Sequence, residues 1–406
     1  MGEAQQHSRW GVGLTALMCG SLILLFSLGI RHSFGLFLQP ISAEQGWGRE
    51  TFAFAVALQN LIWGISQPLT GLLADRFGAT RLAVGGAVLY AMGVASMAVI
   101  ADPWLFALTS GVLIGLALSA TTFPVIFGTV SRLVPAEQRS LAMGIVMAVG
   151  SFGQFVLLPA ALGLIAVFDW SGALLGLALL ALLMAPLALG LKEPPRAISE
   201  APRVTARAAL AEAAGMRDFW LLALGFFACG FQVVFIGTHL PAFLADEGVD
   251  IGVATIVLAL IGLVNIVGAY TAGVWGGRHR KPMLLAWIYL ARGALIAGFV
   301  LMPVTAASAY VFGALMGLFW LSTVPLTNGT VASIWGVRNM SMLGGFVFLA
   351  HQLGSFLGSW LGGAIYDATG SYDIAWGIAV AVSLFAAVLN WPIRETAVAD
   401  RRVAAG

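Results

Sequence analysis

Twelve long apolar stretches, separated by short polar connections, constrain this chain more than any other feature. A helix needs about 20 mostly apolar residues to cross a bilayer. Stretches that meet this lie at 12–40, 49–72, 81–101, 104–130, 139–165, 170–190, 218–244, 251–276, 283–302, 306–334, 341–365 and 371–392. Composition agrees: of 406 residues 60% are hydrophobic and 9% charged, against roughly a quarter charged in soluble domains. The chain reads as an all-α integral membrane protein. The first apolar stretch is too long for a cleavable signal peptide, and no small-residue cleavage site closes it.

The basic residues orient the spans. Cytoplasmic connections carry the excess of Lys and Arg. Of 20 such residues, Arg31 and Arg292 lie inside spans, 17 fall on one side of the twelve-span path, and Arg49 falls on the other. Both termini are therefore expected in the cytoplasm. A missed or invented span would scramble that split. The longest connection, 191–217, holds "KEPPRAISEAPRVTARAALAEAAG". It reads as a cytoplasmic linker with a short surface helix. The expected organisation is a six-helix bundle over 1–190, the linker 191–217, and a second six-helix bundle over 218–406.

The halves answer each other under a shift of 201 residues. "TFPVIFGTVS" at 122–131 meets "TVPLTNGTVA" at 323–332, pairing Pro124 with Pro325 and Gly128 with Gly329. Gly153 meets Gly354, and Gly29, Phe34 and Pro40 meet Gly230, Phe235 and Pro241. Repeated halves are the architecture of carriers that rock around a midplane site. In this register Arg31 meets Gln232 and His32 meets Val233, so the charged pair stands in one half only.

"GLLADRFGATR" at 71–81 resembles the loop signature of the major facilitator superfamily, through Gly71, Asp75, Arg76, Gly78 and Arg81. The resemblance implies the major facilitator fold, two pseudo-symmetric six-helix bundles, and casts these five residues as a conformational gate. The matching loop "GVWGGRHRK" at 273–281 lacks the aspartate. "RSLAMGIVMAVGSFG" at 139–153 is similar to the fifth-helix signature of the monocarboxylate porter branch, which includes oxalate–formate exchanger-like carriers. "SFGLFLQPI" at 33–41 resembles that branch's first helix. The resemblance implies a carrier of small organic anions, by proton symport or anion exchange, in the cytoplasmic (inner) membrane. Its eukaryotic members carry a lysine where His32 falls, and an Asp and an Arg where Asn265 and Ala269 fall. That coupling pair is absent here.

The intramembrane polar residues carry the chemistry. A charge at mid-membrane costs roughly 2.5–3.5 kcal/mol on insertion scales, so such residues usually face a cavity. Arg31 and Arg292 lie within spans, yet no Asp or Glu does so deeply. Arg31 is therefore the leading substrate ligand, because a guanidinium matches a carboxylate bidentately; the alternative is a side chain that snorkels to the interface. Arg292 either reaches inward between helices or ties the second half together. His32, His239 and His351 are candidates for proton coupling, His351 also for substrate binding. Gln59, Asn60 and Gln67, Thr121 and Thr122, Gln154, Asn265, Thr327, Asn328 and Gln352 are further polar residues within spans. Among them Asn328, Gln59, Thr122 and Asn265 are candidate ligands, Asn328 because its segment "STVPLTNGT" is broken by Pro325.

No enzyme reading has a nucleophile, metal cluster or acid–base set behind it. Cys19 and Cys229 lie in apolar stretches and support neither a disulfide framework nor a metal site. No cofactor is implied. The net charge of +2 gives no support to a nucleic-acid partner; the expected partners are an anionic small molecule and the bilayer, around a monomer. A proton-antiport exporter of drugs or metabolites is the competing function. It lacks an obvious membrane carboxylate and the Gly-Pro signature within 139–165.

Overall fold

The computed structural model describes residues 3–134, 139–192, 206–336 and 340–397. It is all-helical, with no strand among the described residues. The helices are α1 (Glu3–Ser33), α2 (Leu38–Gln45), α3 (Arg49–Phe77), α4 (Ala79–Val99), α5 (Pro103–Thr121), α6 (Phe123–Leu133), α7 (Arg139–Leu182) and α8 (Met184–Ala188). After α9 (Ala206–Ala214) come α10 (Arg217–Asp246), α11 (Ile251–Gly276), α12 (Lys281–Leu301), α13 (Ala306–Phe319), α14 (Thr323–Trp335), α15 (Met340–Thr369) and α16 (Asp373–Asn390). A 3₁₀ turn, Phe34–Phe37, joins α1 to α2.

Among the described residues nine helical stretches are long and apolar enough to cross a membrane. One of them, Gly144–Leu191, contains the boundary expected between 165 and 170. There Asp169 leaves helical geometry at φ 62° and ψ 173°, and its carboxylate accepts the N–H of Trp170. Helix α9 is the short helix expected in the linker, whose residues 193–205 lie outside the described ones. Local chemistry sets several starts. Asp102 caps α5 by accepting from Leu105 N with Pro103 behind it, Asp250 caps α11 through Gly252 N, and Thr305 and Ser308 form a capping box on α13. The outer surface is apolar, up to Leu301 at 85% exposed, as a lipid-facing surface requires.

Helix α1 packs on α7, α3 and α4 on α5, α10 on α15 and α16, and α11 on α13. The repeat survives, with a corrected register. Ser27 Oγ meets Thr121 Oγ1 at 3.0 Å, and Cys229 Sγ meets Thr323 Oγ1 at 3.1 Å. Helix α4 spans 79–99 and α12 spans 281–301. Both correspondences are a shift of 202, not 201. The shift of 201 holds later: Gly153 lies against the Leu25 carbonyl and Gly354 against that of Phe227. The step falls at the break in the fourth span, between Thr121/Thr323 and Pro124/Pro325. Arg31 therefore corresponds to Val233 and His32 to Val234, and Gly29 to Phe231 rather than Gly230. The charged pair is still confined to one half.

Glycines set the closest helix approaches. A Cβ on Gly230 would stand 1.8 Å from the His351 carbonyl oxygen. Gly230→Ala should therefore lower stability by about 1–3 kcal/mol, as overpacked cores do. The check is the unfolding temperature of the purified protein; an unchanged value would refute that packing argument.

The two sequence halves meet along α3 with α15 and α7 with α11. These seams are closed at one end and parted at the other. On α3, Gly64 presses on Gln352 of α15, whereas Gly71, on the same face seven residues on, has nothing within 4 Å among the described residues. Its opposite number, Gly345, seven residues before Gln352, is equally open. On the other seam Gly262 presses on Gln154, while Gly144 and Gly273 have no neighbour within 4 Å among the described residues. All four open glycines lie toward the end that carries the termini.

Candidate functional site

Arg31 sits in the last turn of α1, half-buried. Its Nη2 donates to Asn60 Oδ1 on α3 at 2.5 Å. The Asn60 amide is held by its own Nδ2, which donates to the Val56 carbonyl at 2.7 Å, so its oxygen is the atom presented to the guanidinium. One turn along α3, the Trp63 ring centroid lies 5.3 Å from Arg31 Cζ, within cation–π range. Arg31 Nε is buried without a hydrogen-bond partner among the described residues. Among the described residues Arg31 has no carboxylate partner. A neutral amide and a ring leave most of its charge unanswered.

Trp63 links Arg31 to the second half. It stacks near Phe123 at 6.4 Å and meets Phe348 at 5.5 Å. Phe348 lies flat on His351, 5.2 Å and 9° apart, and His351 packs on Phe226 at 4.7 Å. His351 Nδ1 is 3.1 Å from Gln352 Oε1. Arg31 and His351 thus bracket an aromatic wall that crosses from α3 to α15. Gln59, beside Asn60, is fully buried with both side-chain polar atoms unpartnered.

None of the other expected ligands is hydrogen-bonded to Arg31 among the described residues, although Arg292 reaches His351 through Cys229. Arg292 is fully buried on α12; its Nη1 donates to Cys229 Sγ at 3.5 Å, while Nε and Nη2 have no partner. Its counterpart under the 202 shift is Tyr90, whose hydroxyl donates to the Ser27 carbonyl. Asn265 is a brace: its Oδ1 accepts from Leu321 N, where α13 gives way to α14, and its Nδ2 donates to Ser151 Oγ. Those two bonds tie it to the scaffold. Thr122 donates to the Leu118 carbonyl and Asn328 to the Val324 carbonyl, each within its own helix segment. His32 is half-buried beside Arg31.

Of the gate residues, Gly71 is open, Arg81 is exposed, and Gly78 turns the chain at φ 88° between α3 and α4. The side chains of Asp75 and Arg76 lie outside the described residues. In the second half Lys281 pairs with Glu395 at 2.6 Å, so a residue beyond the last span supplies the acid that "GVWGGRHRK" lacks.

His239 belongs to the closed end. There Arg49 forms a two-point ion pair with Asp246, Nη1 to Oδ2 and Nη2 to Oδ1, each 2.7 Å. Its guanidinium covers the Tyr366 ring at 3.7 Å and Nη1 donates to the Tyr372 hydroxyl at 3.1 Å. Asp367 accepts from the N–H groups of Arg49 and Glu50, and Glu50 accepts from Trp360 Nε1. A cavity of about 740 Å³ at this end is lined by Gln39, Trp47, Arg49, Tyr366 and Asp367 among others, and Arg31 does not line it.

Sequence reasoning missed Trp63 and Tyr90. Trp63 carries a signal, standing one turn from Asn60 in "QNLIWG"; Tyr90 carries none without the 202 register.

The fold and the site define a membrane carrier, and comparison with known proteins agrees. A model of the Major Facilitator Superfamily matches residues 17–359. The chain belongs to the Major Facilitator Superfamily; it is a transporter, not an enzyme. It is similar to the uncharacterized MFS-type transporter YcxA of Bacillus subtilis (strain 168), 25% identical with 90% of this chain and 92% of that one covered. It is also similar to monocarboxylate transporter 11 of Mus musculus, 28% identical over 90% of this chain and 82% of the relative. A bacterial homologue of the human lysosomal transporter Spinster, solved in an inward-facing and occupied conformation, has a TM-score of 0.70 at 17% identity, covering 92% of this chain and 95% of that one.

Proposed function

We propose that this protein moves a small organic anion, monocarboxylate-like, across the cytoplasmic membrane by alternating access, as proton symport or anion exchange. The observation that carries the reading is Arg31, a guanidinium within the bundle with an amide and an indole around it and no carboxylate among the described residues. A substrate carboxylate would supply the missing charge in bidentate form. Trp63, Phe348 and His351 would border its apolar remainder. The similarity to monocarboxylate transporters supports the same class.

The reading takes α3 and α15, 29 and 30 residues long, as two further spans and divides 139–182 at Asp169. That gives twelve spans in two six-helix units joined by 191–217. The basic side then faces the cytoplasm, so the parted end opens inward. Proteoliposomes test this: small carboxylates should enter saturably and exchange with one another, whereas amines of equal size should not. Uptake of amines in preference to carboxylates would refute the assignment.

A further inference from the structure

The closed end holds a histidine with no room for a second charge. His239 is fully buried on α10. Its Nε2 lies 2.7 Å from the Ser359 carbonyl, which can only accept, so Nε2 carries the proton. Its Nδ1 is 3.2 Å from the Tyr372 hydroxyl and, in the neutral ring, accepts from it. The same hydroxyl accepts from Arg49 Nη1. A chain therefore runs Arg49, Tyr372, His239, Ser359, and it ties α3 of the first half to α10 and α15 of the second. Gly362 makes room for the ring, since a Cβ there would meet it at 2.5 Å.

A second ring proton would change this chain. Nδ1 would become a donor aimed at a phenol oxygen that already serves the Arg49 cation. The phenol would lose its acceptor, and two cations would share one oxygen. The charged and titratable groups around the ring are Arg49 and Glu50 from α3, Asp246 from α10, Tyr366 and Asp367 from α15, and Tyr372 ahead of α16. No carboxylate among them is hydrogen-bonded to the imidazole: Asp246 holds Arg49, Asp367 caps α3, and Glu50 holds Trp360. An imidazolium would have no carboxylate hydrogen-bonded to it while the latch stays shut.

We propose that His239 is a proton-binding site whose occupation releases the Arg49–Asp246 latch and opens this end of the carrier. A ligand that binds one state better shifts the equilibrium toward it, and here the ligand is the proton. The proposal rests on the alternating-access reading above and adds to it the place where pH acts.

The test is the distance across the latch, without any transported solute. Nitroxides at Ala43→Cys and Glu247→Cys, in a Cys19→Ser, Cys229→Ser background, report it by pulsed electron resonance on the full chain in lipid nanodiscs. As the pH falls from about 8 to about 5, through the imidazole range, the short-distance population should fall on the order of fivefold. His239→Gln keeps both hydrogen bonds of the neutral ring and should hold the short distance throughout. An equal widening in His239→Gln would assign the effect to the carboxylates and overturn the proposal, as would no widening in the parent. Should His239→Gln fail to fold, Tyr372→Phe serves: it should shrink the pH response, and an undiminished response overturns the proposal. Failure of carboxylate uptake with an intact pH response would strike the transport reading alone.

Discussion

Arg31→Ala should abolish measurable carboxylate uptake while leaving a folded protein. Truncating one partner of a desolvated charge pair costs about 2–5 kcal/mol, which is roughly a 30-fold loss of affinity at the least. The variant removes one hydrogen bond to Asn60 and one indole contact, so the scaffold loses little. Arg31→Lys should retain partial activity, because a lysine keeps the charge but not the planar fork. Asn60→Ala tests the support: it should weaken binding less than Arg31→Ala, since Trp63 still holds the guanidinium. A well-expressed Arg31→Ala protein with parental uptake would remove Arg31 from the substrate path.

Gly35→Ala should trap the carrier with the latch end open. A Cβ on Gly35 would stand 2.2 Å from the Gly237 carbonyl oxygen, and backbone cannot swing aside as a side chain can. The two glycines correspond under the 202 shift and meet where the turn Phe34–Phe37 crosses α10. An overpacking cost of about 1–3 kcal/mol, felt only in the state where they touch, shifts the two-state balance by roughly 5- to 150-fold. Transport should fall steeply while the melting temperature changes little. The same spin-label pair across the latch would show the long distance dominating at neutral pH. Parental uptake in Gly35→Ala would mean that the closed contact is not part of the cycle.

Much of this was legible in the sequence, and the illegible part has physical reasons. The apolar stretches fix spanning helices because a backbone in lipid must satisfy its own hydrogen bonds. The loop 71–81 and the repeated halves point to the family. Arg31 stood out because its cost demands an explanation. What surrounds it did not stand out: Trp63 is one aromatic among many until a fold places it over a guanidinium. Asn265 shows the same limit of sequence reasoning. Asparagine in a span reads as a ligand, yet here it spends its hydrogen bonds on Leu321 N and Ser151, bracing a broken helix. The register slipped by one because Pro124/Pro325 and Gly128/Gly329 lie past the break, and the residues before it repeat too weakly to expose the step. The latch at Arg49 was hidden because its partners, Asp246, Asp367 and Tyr372, are 197, 318 and 323 residues away.

The central claim is that a substrate carboxylate completes Arg31. Ligand-induced thermal stabilisation of the purified protein tests it most directly, because only what binds the folded state stabilises it. At concentrations near 100 times its dissociation constant, a bound carboxylate contributes about 2.7 kcal/mol. Small carboxylates should raise the melting temperature of the parent protein, amines of equal size should not, and Arg31→Ala should show no rise with either. Equal stabilisation of the parent and Arg31→Ala by the same carboxylate would contradict the account.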